Sequence, residues 1–213
     1  SYFGIPVSAP YNLDDMAADT VGLLDALELS AAHLVGMSMG GMISQIVAGR
    51  YPDRVLSLTS IMSTSGERGK GEASLKVSLK MVQPVSKDKT PLDIAVDIWQ
   101  MLCGPAYPMT DSEIRAQVIA EHKRSSNPAG YMRQISAIRT SPSRVALLNA
   151  IKVPTLIIHG NQDVLVPVSG GIDTAKHIAH AELVRFEGMG HTLPRELLET
   201  FADLIVNNSA VQT

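Results

Sequence analysis

The sequence has few of the features that mark several specialised classes of protein. Its single cysteine, Cys103, cannot form an internal disulfide, and no Cys/His cluster has the spacing of a structural zinc site. The 18 Lys and Arg against 21 Asp and Glu give a net charge of −3, which disfavours a binder of nucleic acid. No apolar run reaches the roughly 18 residues that span a bilayer. We therefore expect a soluble cytoplasmic protein that has no metal or cofactor and binds neither nucleic acid nor membrane.

Apolar runs rich in branched residues alternate with segments of helical period, a pattern typical of an α/β fold with a parallel sheet. At 213 residues the chain fits one domain, or one domain with a large insertion. The periodicity predicts strands at 32–35, 55–62, 155–158 and 183–186, and helices at 13–29, 39–50 and 197–206.

The middle of the chain has a different character, with no convincing strand and several helix starts, at Thr90-Pro91 and at Asp111. We interpret residues 67–150 as a helical insertion, and residues 1–66 and 151–213 as the α/β core. Four methionines of the insertion either line an apolar pocket, because flexible thioethers suit irregular cavities, or pack in its helical core: Met81, Met101, Met109 and Met132.

The first predicted strand leads into Gly36-Met37-Ser38-Met39-Gly40, a G-x-S-x-G sequence, and a helical run follows. The string alone is weak evidence, since about one random chain in ten of this composition contains it. Its context is stronger, because a sharp strand-to-helix turn exposes the serine hydroxyl and flanking glycines avoid clashes. The free N–H of Met39 at the helix start is then placed to bind an oxyanion. The alternative is a glycine-rich turn with a polar residue or a phosphate, although a phosphate site normally has further glycines or a lysine.

A serine hydroxyl is a poor nucleophile at neutral pH, so this interpretation requires a base and a group that orients the base. Asp163 follows the third predicted strand in a polar turn, and His191 lies in a glycine-rich loop after the fourth. Three strand ends thus carry Ser38, Asp163 and His191 in that order, at the edge of a parallel sheet where ligand sites gather.

Other titratable residues are candidates for the same roles. Asp173 and Glu187 are rival acids, although neither follows a strand end as directly as Asp163. His159 is expected to shape the end of the third strand, with contact to the substrate as its alternative. The remaining histidines lie in strand or helical contexts and are expected to be structural or at the surface: His33, His122, His177 and His180.

With these residues in this order, the chain resembles the α/β-hydrolase superfamily, near its esterase, lactonase and aclacinomycin methylesterase-like members. The resemblance implies that Ser38 is the nucleophile, His191 the general base and then acid, and Asp163 its orienting carboxylate. It also implies that residues 67–150 form a cap over the acyl pocket. Epoxide hydrolases and haloalkane dehalogenases of the family have an aspartate in place of the serine, so the resemblance excludes them. The matching segments extend over nearly the whole chain, at 13–19, 36–41, 51–55, 153–163 and 190–191.

We therefore predict a serine hydrolase that cleaves a small-molecule carboxylic ester through an acyl-enzyme intermediate. Lactone hydrolysis, cofactor-free perhydrolysis and cleavage of an activated C–C bond use the same parts and are alternatives. A further alternative is a truncated chain that binds acyl ligands, or assembles with a partner, with little turnover.

The resemblance also implies parts that this sequence does not contain. Relatives carry four further strands and a His-Gly loop ahead of the matching segment, and that loop supplies a second oxyanion N–H. We expect the chain to be either naturally short or a fragment. The outer edge of strand 32–35 is then unpaired, which predicts either a homo-oligomer or an N-terminal segment that covers it.

Overall fold

The computed structural model describes residues 10–81, 88–125 and 127–210. The first nine residues of the predicted core and residues 82–87 of the predicted insertion lie outside this part of the chain. The described helices and strands follow one another as α1 (Leu13–Ala26), β1 (Ala32–Met37), α2 (Met39–Arg50), β2 (Val55–Ile61), α3 (Leu75–Met81), α4 (Pro91–Leu102), α5 (Asp111–Arg124), α6 (Pro128–Thr140), α7 (Val145–Leu148), β3 (Thr155–Gly160), α8 (Ser169–Lys176), β4 (Glu182–Phe186) and α9 (Leu198–Ala210).

The four described strands form one parallel sheet in the order β1-β2-β3-β4. All six residues of β3 are buried, and so are six of the seven in β2. Burial of this extent is typical of a parallel sheet with helices on both faces. The predicted α/β fold is confirmed.

Helix α1 begins where the sequence predicts, because Asn12 caps it. The Asn12 side chain accepts the backbone N–H of Asp14 and of Asp15 at 2.7 and 3.1 Å, and the Asp15 carboxylate accepts the N–H of Asn12 at 2.8 Å. The helix ends at Ala26, earlier than the expected residue 29. The reason is a backbone turn at Glu28, whose φ of 57° is incompatible with a continuing right-handed helix.

Residues of the predicted insertion form helices α3 to α7, and two of these helices begin at capping boxes. Thr90 accepts the N–H of Asp93 at the start of α4, and Thr110 accepts the N–H of Glu113 at the start of α5. The cap of α5 is therefore one residue earlier than the expected Asp111. These two helices pack against each other. Among the described residues, no helix has the length and apolar character needed to cross a bilayer.

Two apolar clusters form the core on the two sides of the sheet. One joins α1, α2 and α7 to β2, through buried residues that include Leu13, Val47 and Leu148. The other joins β2 and β3 to α9, and it contains Met189, which is fully buried two residues before His191. The second cluster therefore anchors the loop that carries His191.

Strand β1 lies at the edge of the described sheet, where it pairs with β2 alone. Val35 and Met37 on this strand are 50% and 47% exposed. Apolar side chains on an unpaired edge favour association with another chain. That a second copy of the chain or an N-terminal segment covers this edge stays a prediction. Sedimentation velocity of the 213-residue chain tests for self-association.

Replacement of Met189 by alanine should destabilise the protein by about 2–5 kcal/mol, since the methionine is fully buried and leaves a cavity. Urea denaturation measures the free energy of unfolding. The matched control is Met132→Ala, a methionine that is 41% exposed and should change stability by about 0.5 kcal/mol or less. Equal effects of the two changes would contradict the placement of Met189 in the core.

Candidate active site

Ser38 occupies a strained turn between β1 and α2. Its φ of 52° and ψ of −117° are uncommon for a residue other than glycine. The turn is held by hydrogen bonds from the Ser38 N–H to the carbonyl of Ile61, at 2.9 Å, and from the Ser63 hydroxyl to the carbonyl of Ser38, at 2.8 Å. The Ser38 side chain makes no capping bond to α2, so its hydroxyl is free for other partners.

The expectation that both glycines of the G-x-S-x-G string relieve clashes holds for one of them. A Cβ at Gly36 would lie 2.3 Å from the carbonyl oxygen of Gly40, so any side chain there would displace the turn. A Cβ at Gly40 would meet nothing within 4 Å. The second close approach is instead at Gly41, where a Cβ would lie 2.7 Å from that of Ser63. The expectation for Gly40 is wrong because α2 approaches the end of β2 one residue later.

The structure brings Ser38, Asp163 and His191 together. Nε2 of His191 lies 3.1 Å from Oγ of Ser38, and Nδ1 lies 2.7 Å from Oδ2 of Asp163. The backbone N–H of His191 donates to the carbonyl of Leu102 at 2.8 Å, which ties the histidine loop to the end of α4. A hydroxyl, an imidazole and a carboxylate in hydrogen-bonded series can activate the hydroxyl as a nucleophile.

Asp163 is nearly fully buried, and both its carboxylate oxygens have partners. Oδ1 accepts the backbone N–H of Leu165 and of Val166 at 2.9 and 2.8 Å, while Oδ2 faces His191 and lies 3.6 Å from Nε2 of His159. Burial acts to raise the pKa of Asp163, but the nearby imidazole of His159 and the hydrogen bonds from His191 and Val166 outweigh it and hold the pKa below its ordinary value. The carboxylate is therefore ionised at neutral pH, as an orienting group for the imidazole must be.

His159 lies beneath this carboxylate and is fully buried. Its Nε2 is 2.7 Å from the carbonyl oxygen of Val166, and it is not among the residues that line the cavity beside Ser38. The structure therefore favours the interpretation that His159 shapes the end of β3 over contact with the substrate.

The two rival acids have other partners. Asp173 accepts the hydroxyl of Ser65 at 2.6 Å, and Glu187 accepts the side-chain amides of Asn161 and Gln162. In the described part of the chain, His191 forms its carboxylate hydrogen bond with Asp163. No group of three or more His, Cys, Asp or Glu side chains in the described ranges is arranged to hold a metal ion.

Met39 is the first residue of α2, so its backbone N–H has no acceptor within the helix. The N–H lies next to Ser38 at the electropositive end of the helix, which is where the sequence predicts an oxyanion donor. The role of this N–H stays a prediction, as do the roles of the three side chains. The presence of a second N–H donor to the oxyanion also stays a prediction.

A cavity of about 700 Å³ opens beside Ser38. Helices α3 and α6 of the insertion supply part of its wall, with Met81, Ile135 and Ile138. Of the four methionines singled out in the sequence, Met81 lines the cavity and the other three do not. Several other charged and apolar residues also line it, namely Met39, Met42, Glu67, Lys70, Glu72, Arg139, Arg144 and Leu165.

Arg144 is a buried lining residue that the sequence analysis does not predict. It precedes α7 and is 4% exposed, and burial lowers its pKa to about 10. A single arginine beside a short helix gives no local signal of burial. Its surroundings include Gln45 and Thr64, which come from distant parts of the chain.

Comparison with known proteins gives the same fold. The sequence model of a family described as "alpha/beta hydrolase fold" matches residues 5–88. The chain is 28% identical to rhodomycin D methylesterase DnrP of Streptomyces peucetius, over 96% of this chain and 75% of that protein. The chain therefore has the α/β-hydrolase fold.

The chain is also 29% identical to 2-hydroxymuconate semialdehyde hydrolase of Pseudomonas sp. strain CF600, over 94% of its own length and 69% of the relative's. Among solved structures it is similar to a variant of the meta-cleavage product hydrolase CumD from Pseudomonas fluorescens IP01. The TM-score is 0.73 at 22% identity, over 95% of this chain and 73% of that one. The structural likeness shows the fold, and the named relatives support hydrolytic activity for this chain.

Replacement of Gly36 by alanine should destabilise the turn between β1 and α2, because the added Cβ would lie 2.3 Å from a backbone oxygen. Gly40→Ala is the matched control, since its Cβ meets nothing within 4 Å and alanine favours the helix by up to about 1 kcal/mol. Thermal melting compares the two. A melting temperature for Gly36→Ala at or above that of Gly40→Ala would contradict the geometry described for the turn.

Proposed function

We propose that this protein is a serine hydrolase of the α/β-hydrolase superfamily that cleaves a carboxylic ester through an acyl-enzyme intermediate. The observation that carries the proposal is the hydrogen-bonded series Ser38–His191–Asp163, with distances of 3.1 and 2.7 Å, at the side of the cavity. Positioned hydroxyl, imidazole and carboxylate groups of this kind support acyl transfer.

In the first half of the reaction, Nε2 of His191 takes the proton of Ser38 as Oγ attacks the ester carbonyl carbon. The carbonyl oxygen becomes an oxyanion, and the N–H of Met39 stabilises it. His191 then gives its proton to the leaving alkoxide, and the C–O bond of the ester breaks. The products are a free alcohol and an acyl group on Ser38.

In the second half, water occupies the place of the alcohol. His191 takes a proton from the water, whose oxygen attacks the acyl carbon, and then returns the proton to Oγ of Ser38 as the acyl group leaves. The free acid and the starting enzyme result.

Asp163 acts through the imidazole in both halves. Its Oδ2 accepts the hydrogen on Nδ1 of His191, so the lone pair is on Nε2, towards Ser38. When His191 is positively charged, the adjacent carboxylate stabilises it. The two backbone N–H groups that bind Oδ1 keep the carboxylate in this orientation.

The named relatives agree with this class of reaction, since DnrP is a methylesterase by name and the Pseudomonas sp. CF600 relative a hydrolase. Lactone hydrolysis, perhydrolysis and C–C cleavage use the same three side chains and are the alternatives, as is acyl binding without efficient turnover. A series of p-nitrophenyl esters of increasing acyl length tests ester cleavage directly.

Replacement of Ser38 by alanine should abolish ester hydrolysis and labelling by a fluorophosphonate probe, because the probe reacts with an activated serine. The fold should persist, and circular dichroism checks it. Ser209→Ala in α9, away from the cavity, is the control and should be labelled normally. Mass mapping of the wild-type adduct to a serine other than Ser38 would contradict the assignment.

Replacement of Asp163 by asparagine should lower kcat by up to about 10⁴-fold, because the amide favours the wrong imidazole tautomer. The control is Glu187→Gln, which alters the rival acid whose partners are Asn161 and Gln162. Steady-state kinetics of both variants, with folding checked by thermal melting, makes the comparison. Near-normal kcat for Asp163→Asn together with a large loss for Glu187→Gln would move the carboxylate role to Glu187.

A further inference from the structure

Arg144 is a buried cation on the wall of the cavity that holds Ser38. Its Nε donates to the side-chain oxygen of Gln45 at 3.0 Å, and its Nη2 donates to the backbone carbonyl of Thr64 at 2.6 Å. Both acceptors are neutral. These bonds hold the guanidinium in place without cancelling its charge.

Within the described residues, no Asp or Glu carboxylate lies within ion-pair distance of Arg144. Asp14 acts on it only at longer range and pairs with Arg50 at 3.0 Å. A buried charge is costly unless an opposite charge or a set of hydrogen bonds compensates it. Two hydrogen bonds compensate part of this cost, and an anion at the guanidinium would supply the opposite charge.

The third nitrogen of this guanidinium, Nη1, is open to such an anion. It has no hydrogen-bond partner in the part of the chain that the structure describes, and it is not among the buried atoms sealed from solvent. Gly66 keeps it uncovered, because a Cβ there would lie 3.0 Å from Nη1.

The other charged lining residues are less buried. Lys70, Glu72 and Arg139 are exposed and Glu67 is half-buried. Glu67 accepts the hydroxyl of Ser143 at 2.9 Å, and Glu72 accepts the N–H of Gly69 at 2.9 Å. The two carboxylates therefore have partners of their own near the surface, while the buried part of the wall carries the positive charge of Arg144.

We infer that the cavity binds an ester whose acyl chain ends in a carboxylate, with that carboxylate on Arg144 and the ester carbonyl at Ser38. This inference rests on the proposed function, since it needs Ser38 as the nucleophile. A planar guanidinium pairs well with a carboxylate, and one cation matches one negative charge. The apolar lining residues Met42, Met81 and Ile138 suit the hydrocarbon segment between the two groups.

The test compares p-nitrophenyl half-esters of glutarate, adipate and pimelate with the pentanoate, hexanoate and heptanoate esters. Each pair has equal chain length and differs by a carboxylate against a methyl group. After correction for spontaneous hydrolysis, wild-type kcat/KM should favour the carboxylate ester by at least about tenfold at one length, as expected for a charged hydrogen bond. Arg144→Gln should remove this preference, because the carboxylate loses its cation, whereas Arg144→Lys should retain part of it.

Lys70→Gln is the matched control, since it removes an exposed cation from the same cavity and should change the preference less than threefold. If Arg144→Gln does not fold, the wild-type ratios decide alone. No carboxylate preference at any length overturns the inference while leaving the proposed function intact, and a preference that survives in a folded Arg144→Gln overturns the role of Arg144. Failure of the proposed function is distinct, because neither ester series would then be cleaved and Ser38 would not be labelled.

Discussion

The left-handed backbone at Ser38 is the constraint on which the arrangement of the site depends. Residues other than glycine rarely adopt such a conformation, so surrounding contacts must maintain it. Hydrogen bonds to Ile61 and from Ser63 do so from the end of the neighbouring strand, and Gly36 leaves room for the carbonyl of Gly40. The turn directs the hydroxyl away from α2 and towards the imidazole, and it leaves the first N–H of the helix next to the same point.

The parallel sheet supplies the other members of the site, because the carboxyl ends of parallel strands lie at one edge. Asp163 follows β3, which is buried along its whole length, and is fixed by two backbone N–H groups. His191 follows β4 in a loop that Met189 anchors in the core. The bond from its N–H to the carbonyl of Leu102 joins this loop to the insertion, so core packing and insertion together set the position of the imidazole.

The cavity beside Ser38 has an apolar wall, and its charged lining residues are buried to different extents. Helices of the insertion supply hydrocarbon surface, and ionised residues of both signs lie towards the solvent. At depth, Arg144 keeps its positive charge at neutral pH, since even the lowered pKa is about 10. In a medium of lower polarity than water, a fixed charge of this kind has a larger effect on a bound anion than a surface lysine has. In the proposed function, hydrolysis and recognition of ligand charge thus depend on different residues of the same cavity.

Patterns among neighbouring residues in the sequence determined much of the fold and of the candidate site of this protein. Hydrophobic period gave the order of strands and helices, the Asn12 cap gave the start of α1, and residues after predicted strands gave Ser38, Asp163 and His191 as a group. The grouping of these three residues follows from the parallel sheet, because the carboxyl ends of parallel strands lie at the same edge however far apart the strands are in the sequence.

Only the tertiary structure decided the features that depend on residues far apart in the chain. Gly41 and not Gly40 is the second close approach at the turn, because Ser63 follows a different strand. Arg144 is buried because its partners Gln45 and Thr64 are 99 and 80 residues away in sequence. Burial and charge compensation are properties of the packed chain, and no local pattern around an arginine specifies them.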